Sequence, residues 1–230
     1  MGELRKRLIY ILVFFVCVFI ISLVFAGNIY ELLTSGFDKK LLVLSPSEIL
    51  HIYLLIAGWS SVVFSLPFIA YHIWAFVAPG LKRNEAKVLL GYVPAVFVCF
   101  VIGFLFGLLV VSPLLLSVLL GLGKGIFDVQ ITAYNYLLFV IHTTVPLGVL
   151  FELPVVIAFL TSLSILTPKF LIKNRKYAYF ILLVIAVCIT PPDFASDLIT
   201  TIPLVLIYEL GVIISKVVYR RKKVSIQKEE

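Results

Sequence analysis

Charged residues are scarce in this sequence: 13% of its 230 residues, against 62% that are hydrophobic. Soluble domains carry about a quarter charged residues and about half apolar ones, so a soluble globular fold is excluded. A disordered chain needs low hydrophobicity and high net charge and is excluded too. Cysteine is nearly absent. Cys17, Cys99 and Cys188 sit one each in separate apolar runs with no paired spacing. That pattern suits neither a zinc site nor a disulfide framework, and leaves them as small packing residues. His51, His72 and His142 stand apart from companion ligands, so no metal site is expected. Neither a Gly-rich phosphate loop nor a nucleophile elbow occurs. The chain has no evident means of hydrolysing ATP, and neither an enzyme nor a cofactor is expected.

What the sequence has in abundance is long apolar runs. A spanning helix takes about 20 largely apolar residues to cross roughly 30 Å of hydrocarbon. Candidate spans run over about 8–26, 49–77, 88–113 and 136–162. The remaining apolar sequence is split at Thr190-Pro191-Pro192-Asp193 into 177–189 and 198–215. Thirteen helical residues reach only about 20 Å, so these last two pieces read as short spans that thin the bilayer, with a re-entrant hairpin as the other reading. The expected fold is an all-α polytopic membrane protein. Six transmembrane helices fill 1–216, the last two short, and a basic tail follows over 217–230. The two halves share neither loop lengths nor breaker positions, which counts against repeat-built transporters.

Orientation follows from the placement of lysine and arginine. Sixteen of the 19 fall in the N-terminal tail, the loops after spans two and four, and the C-terminal tail; only Lys39, Lys40 and Lys124 fall on the other side. Both termini are therefore expected in the cytoplasm. The net charge of +7 is a topology signal, and no nucleic-acid partner is expected. On the outer side, 29–33 and 41–44 are apolar enough to form a short cap on the membrane surface.

Glu152, in Phe151-Glu152-Leu153-Pro154, is the deepest charge, with about 16 apolar residues of span before it. An intramembrane carboxylate costs several kcal/mol unless it is hydrated, protonated or paired. Two readings stay open: a contact for a polar group on a partner helix or a proton-coupled step, and a structural carboxylate bonded to Thr143 or Thr144. Glu209 lies nearer the interface and is expected to pair or snorkel. Asp193 is placed to cap the helix that follows it. Exposed Glu85 and first-turn Glu3 carry little signal alone.

Read in order, these strings resemble the TatC family, the multi-span core of the twin-arginine protein translocase. The resemblance covers nearly the whole chain. Glu3-Leu4-Arg5-Lys6-Arg7-Leu8 resembles the family's N-terminal signature, and Ser45-Pro46-Ser47-Glu48 the end of its first outer loop. Trp74-Ala75-Phe76-Val77-Ala78-Pro79-Gly80-Leu81, then Glu85, is similar to its first inner-loop signature. Phe151-Glu152-Leu153-Pro154, Thr190-Pro191-Pro192-Asp193, Ile202-Pro203 and Tyr208-Glu209-Leu210-Gly211 complete the order. The family usually carries a few more residues, including a histidine, before Glu-Leu-Arg, where this sequence has only Met1 and Gly2.

The resemblance implies a receptor for twin-arginine signal peptides and the core of a translocase that exports folded proteins on the proton-motive force. Its setting is the bacterial cytoplasmic (inner) membrane, with TatA/TatB-like single-span subunits as partners and self-association in a larger complex. Signal-peptide binding falls to Glu85, Glu3, Arg5, Phe76, Pro79 and Leu81. Glu152 would meet a polar group on a partner helix, while Pro46, Pro191, Pro192 and Asp193 take structural or assembly roles. Without the resemblance, a proton-coupled small-solute transporter using Glu152 is the leading alternative.

Overall fold

The computed structural model describes residues 2–34, 41–77, 91–122, 130–190 and 193–227. Among them the chain forms ten α-helices and one π turn. Five helical stretches are long and apolar enough to cross a membrane: Glu3–Val24, Pro46–Ile73, Pro94–Gly121, Ala133–Ser162 and Phe194–Lys222.

Helix α1 (Gly2–Val24) packs along α3 (Pro46–Val77). Phe14 stacks on Phe68 at 4.3 Å between ring centroids, and Tyr10 meets His72 at 6.2 Å. The other face of α1 presents Leu8, Leu12, Val13, Ile20 and Ile21, which suits a helix solvated by lipid. Where the sequence suggests a cap, the short helix α2 (Ala26–Thr34) buries Ala26 against Ile52, Ile56 and Leu137. Residue Leu42 then bridges to the start of α6, donating to Ile131 O at 3.1 Å and accepting from Ala133 N at 2.8 Å. Ser45 caps α3 by accepting from Glu48 N at 3.3 Å, while the Glu48 carboxylate takes Leu44 N at 2.7 Å. This is a capping box shifted by one residue, the carboxylate taking the N–H before the cap instead of the cap's own, and Pro46 occupies the first helical position, where its missing N–H is harmless.

The third span differs from the expected 88–113. It runs as α4 (Tyr92–Phe106), a π turn (Gly107–Val111) and α5 (Ser112–Leu122), passing through Pro113. Proline removes the donor that the carbonyl four residues back would take, and a wide turn directly before it lets the helix continue. The fourth span is α6 (Ala133–Leu150) and α7 (Leu153–Ser162), interrupted at Phe151-Glu152 by Pro154. After the short α8 (Pro168–Lys173) comes α9 (Arg175–Ile189), whose 15 residues reach about 22 Å. The expectation of a short fifth piece holds by length.

The expectation of a short sixth piece does not. Helix α10 (Phe194–Gln227) has 34 residues, and its apolar stretch alone has 29. Asp193 starts it four residues earlier than expected, and the lysines and arginines at 216 and 220–223 are good helix formers that carry it into the basic tail. Two apolar clusters hold the bundle. One gathers Val111, Leu147, Ile157, Leu182, Leu204 and Val212 around α7, α9 and α10. The other joins α2, α3 and α6. Two of the three cysteines are not the packing residues expected: Cys17 and Cys188 are exposed, whereas Cys99 is half-buried.

Candidate recognition face and intramembrane carboxylate

Helices α1 and α3 run antiparallel, so the first turn of α1 lies beside the last turns of α3. The Tyr10–His72 and Phe14–Phe68 contacts together fix this. It brings Glu3, Arg5 and Phe76 to one end of the bundle, all three exposed. Glu3 reaches Arg7 loosely, at 3.8 Å, with its own side chain 72% exposed. Such an i,i+4 pair contributes only a few tenths of a kcal/mol and leaves the carboxylate open to another cation. Beneath it, Arg7 Nε and His72 Nδ1 are buried with no hydrogen-bond partner among the described residues. Pro79, Leu81 and Glu85 lie outside the described residues, in the segment that joins α3 to α4, as do Pro191 and Pro192.

Glu152 sits at the break between α6 and α7. With no donor at Pro154, the chain tightens into Glu152 N to Val149 O at 3.1 Å, then restarts with Val156 N to Glu152 O at 2.9 Å. The carboxylate does not cap α7, and its Oε1 is buried with no hydrogen-bond partner among the described residues. Thr143 and Thr144 do not satisfy it, because their hydroxyls donate back to Phe139 O and Val140 O at 2.9 and 2.8 Å. Of the two readings of Glu152, the structural one thus loses its named partners. Around the break the helices approach closely. A Cβ on Gly103 would meet Phe151, one on Gly148 would meet Phe100, and one on Gly107 would lie 2.9 Å from Thr144 Cα.

Glu209 is the opposite case. Its Oε2 accepts from Arg175 Nη2 at 2.7 Å and its Oε1 from the Tyr179 hydroxyl at 2.6 Å. Both oxygens are used, and α9 is fastened to α10. Pairing is what the sequence suggested, but its partners were not identified; Arg175 and Tyr179 at i and i+4 on one face of α9 were the available signal. Asp193 caps α10 as expected, accepting from Ser196 N at 2.8 Å. The contact with Ser196 holds its carboxyl below the ordinary aspartate range.

Residues 1–203 match the family model described as Sec-independent protein translocase protein (TatC). The chain belongs to the TatC family. It is similar to Sec-independent protein translocase protein TatCd of Bacillus subtilis (strain 168), 43% identical over 220 residues that cover 96% of this chain and 91% of TatCd. It is 35% identical to a TatC of Helicobacter pylori (strain J99) over 216 residues, 94% of this chain and 87% of that one. Its fold is similar to a crystal structure of the twin arginine translocase receptor TatC, with a TM-score of 0.81 at 31% identity over 94% of this chain and 98% of the other. These relatives give no support to the small-solute transporter. As a member of the TatC family the chain is a helical membrane component of protein translocation.

Proposed function

We propose that this chain is the twin-arginine signal-peptide receptor and core of a Sec-independent translocase that uses the proton-motive force to export folded proteins. The family match across 1–203 carries this reading. Its chemistry rests on the carboxylates of Glu3, at one end of the bundle, and of Glu85. A carboxylate binds a guanidinium through two parallel charge-assisted bonds, which an ammonium cannot reproduce. Glu85 and Glu3 would therefore select an arginine pair over a lysine pair, with Arg5, Phe76, Pro79 and Leu81 shaping the face around them. The apolar part of the signal peptide would lie along the exposed helices, and no covalent step is required.

In this reading both termini are cytoplasmic, six segments cross the bacterial inner membrane, and short α9 thins the bilayer beside it. Glu152 meets a polar residue of a TatA/TatB-like single-span subunit, and its unused Oε1 supports that role. Pro46, Pro191, Pro192 and Asp193 hold the outer turns in the shape that assembly needs. The test is site-specific photocrosslinking from position 85 to a precursor protein. Capture of the twin-arginine precursor, and its loss when both arginines become lysine, is the expected result. Equal capture of both precursors refutes the receptor role.

A further inference from the structure

A cavity of about 410 Å³ opens between the start of α8 and the far end of α10, lined by Thr167, Pro168, Lys169, Lys216, Tyr219 and Arg220. Its size lies within the range of small-ligand sites. Three cations from segments about 50 residues apart converge on it. None of the three has a carboxylate partner among the described residues, where the ion pairs are Glu3–Arg7 and Arg175–Glu209. Bringing like charges together without a counter-charge is unfavourable, and an anion in the cavity would offset it. The wall is fixed in advance. Lys222 Nζ donates to Ser162 O at 2.7 Å and to Ser164 Oγ at 2.8 Å, fastening the end of α10 to the loop that leads into α8.

The surroundings say which kind of anion. Along α10, Ile213, Lys216, Val217 and Arg220 share one face by their three- and four-residue spacing, and Ile213 and Val217 are exposed. Phe170 and Ile172 are exposed beside Lys169 on α8. An apolar stripe thus runs directly into a cationic cavity at the end of a membrane-spanning helix. A free phosphate or an acidic protein segment needs the cations but not the stripe, whereas an amphiphile with a phosphate headgroup needs both. We propose that this cavity binds the headgroup of an anionic phospholipid, with the phosphate held by Lys169, Lys216 and Arg220, and Thr167 and Tyr219 supplying hydroxyls. Basic pockets between helices at a membrane face are apt for such lipids. The site needs only that these helices cross a bilayer, so it stands or falls independently of signal-peptide recognition.

The test uses the purified full chain in detergent, with lipid retention read by native mass spectrometry after incubation with phosphatidylglycerol or phosphatidylcholine. Selective retention of phosphatidylglycerol is expected, undiminished by millimolar inorganic phosphate. At about fivefold per surface cation, K169Q/K216Q/R220Q should weaken retention about a hundredfold. The single variant K216Q should weaken it about fivefold and serves where the triple variant does not fold. K173Q/K176Q, on charges outside the cavity, should leave retention unchanged. Equal retention of both lipids, retention unaltered in K216Q, or displacement by inorganic phosphate overturns the assignment. So does an acidic protein segment that competes the lipid away.

Discussion

Replacing Glu152 by leucine should stabilise the isolated chain while removing its role in assembly. The structure supplies the terms. The carboxylate caps nothing, and its Oε1 is buried without a partner among the described residues. A buried polar atom left unsatisfied costs about 1–3 kcal/mol, and an ionised carboxylate in hydrocarbon at least that much. One opposing effect is the helix dipole: an acid at the N-terminus of α7 gains about 0.3–1 kcal/mol. Residue 152 also follows the C-terminal end of α6, where the same effect has the opposite sign, so the two roughly cancel. Glu152→Leu should therefore raise the midpoint of thermal unfolding in detergent by on the order of 5 °C. Glu152→Gln, which keeps an unsatisfied polar group, should change it little. Copurification of single-span subunits should fall in both variants. A Glu152→Leu chain destabilised by about 1 kcal/mol or more would refute the reasoning, because the carboxylate would then be bonded within the chain.

The close approach at Gly107 gives a stability contrast. A Cβ there falls 0.5 Å short of the 3.4 Å needed for ordinary contact with Thr144 Cα, whereas one on Gly58 meets nothing within 4 Å. Gly107→Ala should cost about 1–3 kcal/mol by overpacking. Gly58→Ala should be neutral or stabilising by up to about 1 kcal/mol; equal midpoints for the two variants would contradict this. The Arg175–Glu209 pair is 36% and 28% exposed, so a double-mutant cycle in thermal unfolding should give a coupling of only about 0.5–1 kcal/mol. A coupling several times larger would mean that lipid, not water, solvates the pair. For Asp193 the sign follows from its lowered pKa. Its contribution is present above the unfolded-state value near 3.8 and is lost as pH falls through the lower folded-state value. In Asp193→Asn, which keeps a capping side chain, that acid-side loss should disappear from the stability profile. If it persists unchanged, the titrating group lies elsewhere.

The helices were legible because the membrane demands long apolar runs, and the two interruptions at Glu152 and Asp193 were legible because proline marks them. Their geometry was less so. Pro113 ends a helix by the soluble-protein rule, yet here the chain opens one π turn at Gly107–Val111 and continues to Leu122, because in lipid a continued helix keeps the backbone groups paired. The C-terminal segment was read from hydropathy alone, which stops at the first lysines; helix propensity does not, and α10 runs on to Gln227. The candidate recognition face was legible only as separate strings. That Glu3 and Phe76 share one end depends on antiparallel packing of α1 on α3, which a charge count establishes only as far as the side of the membrane.

The two intramembrane glutamates show what sequence and structure each decide. Both are single carboxylates in apolar runs, and depth alone ranks Glu152 above Glu209 as a candidate for function. The contacts make a sharper distinction. Glu209 has both oxygens engaged, at 2.7 and 2.6 Å, so any partner helix would have to displace bonds that already hold α9 to α10. Glu152 has no such bonds among the described residues, and Thr143 and Thr144, the nearest polar groups in sequence, are committed to their own helix. A group that destabilises the chain alone and gains bonds only with a partner makes assembly favourable by its differential interaction. Depth costs both residues, but only Glu152 has that cost left for a second chain to relieve.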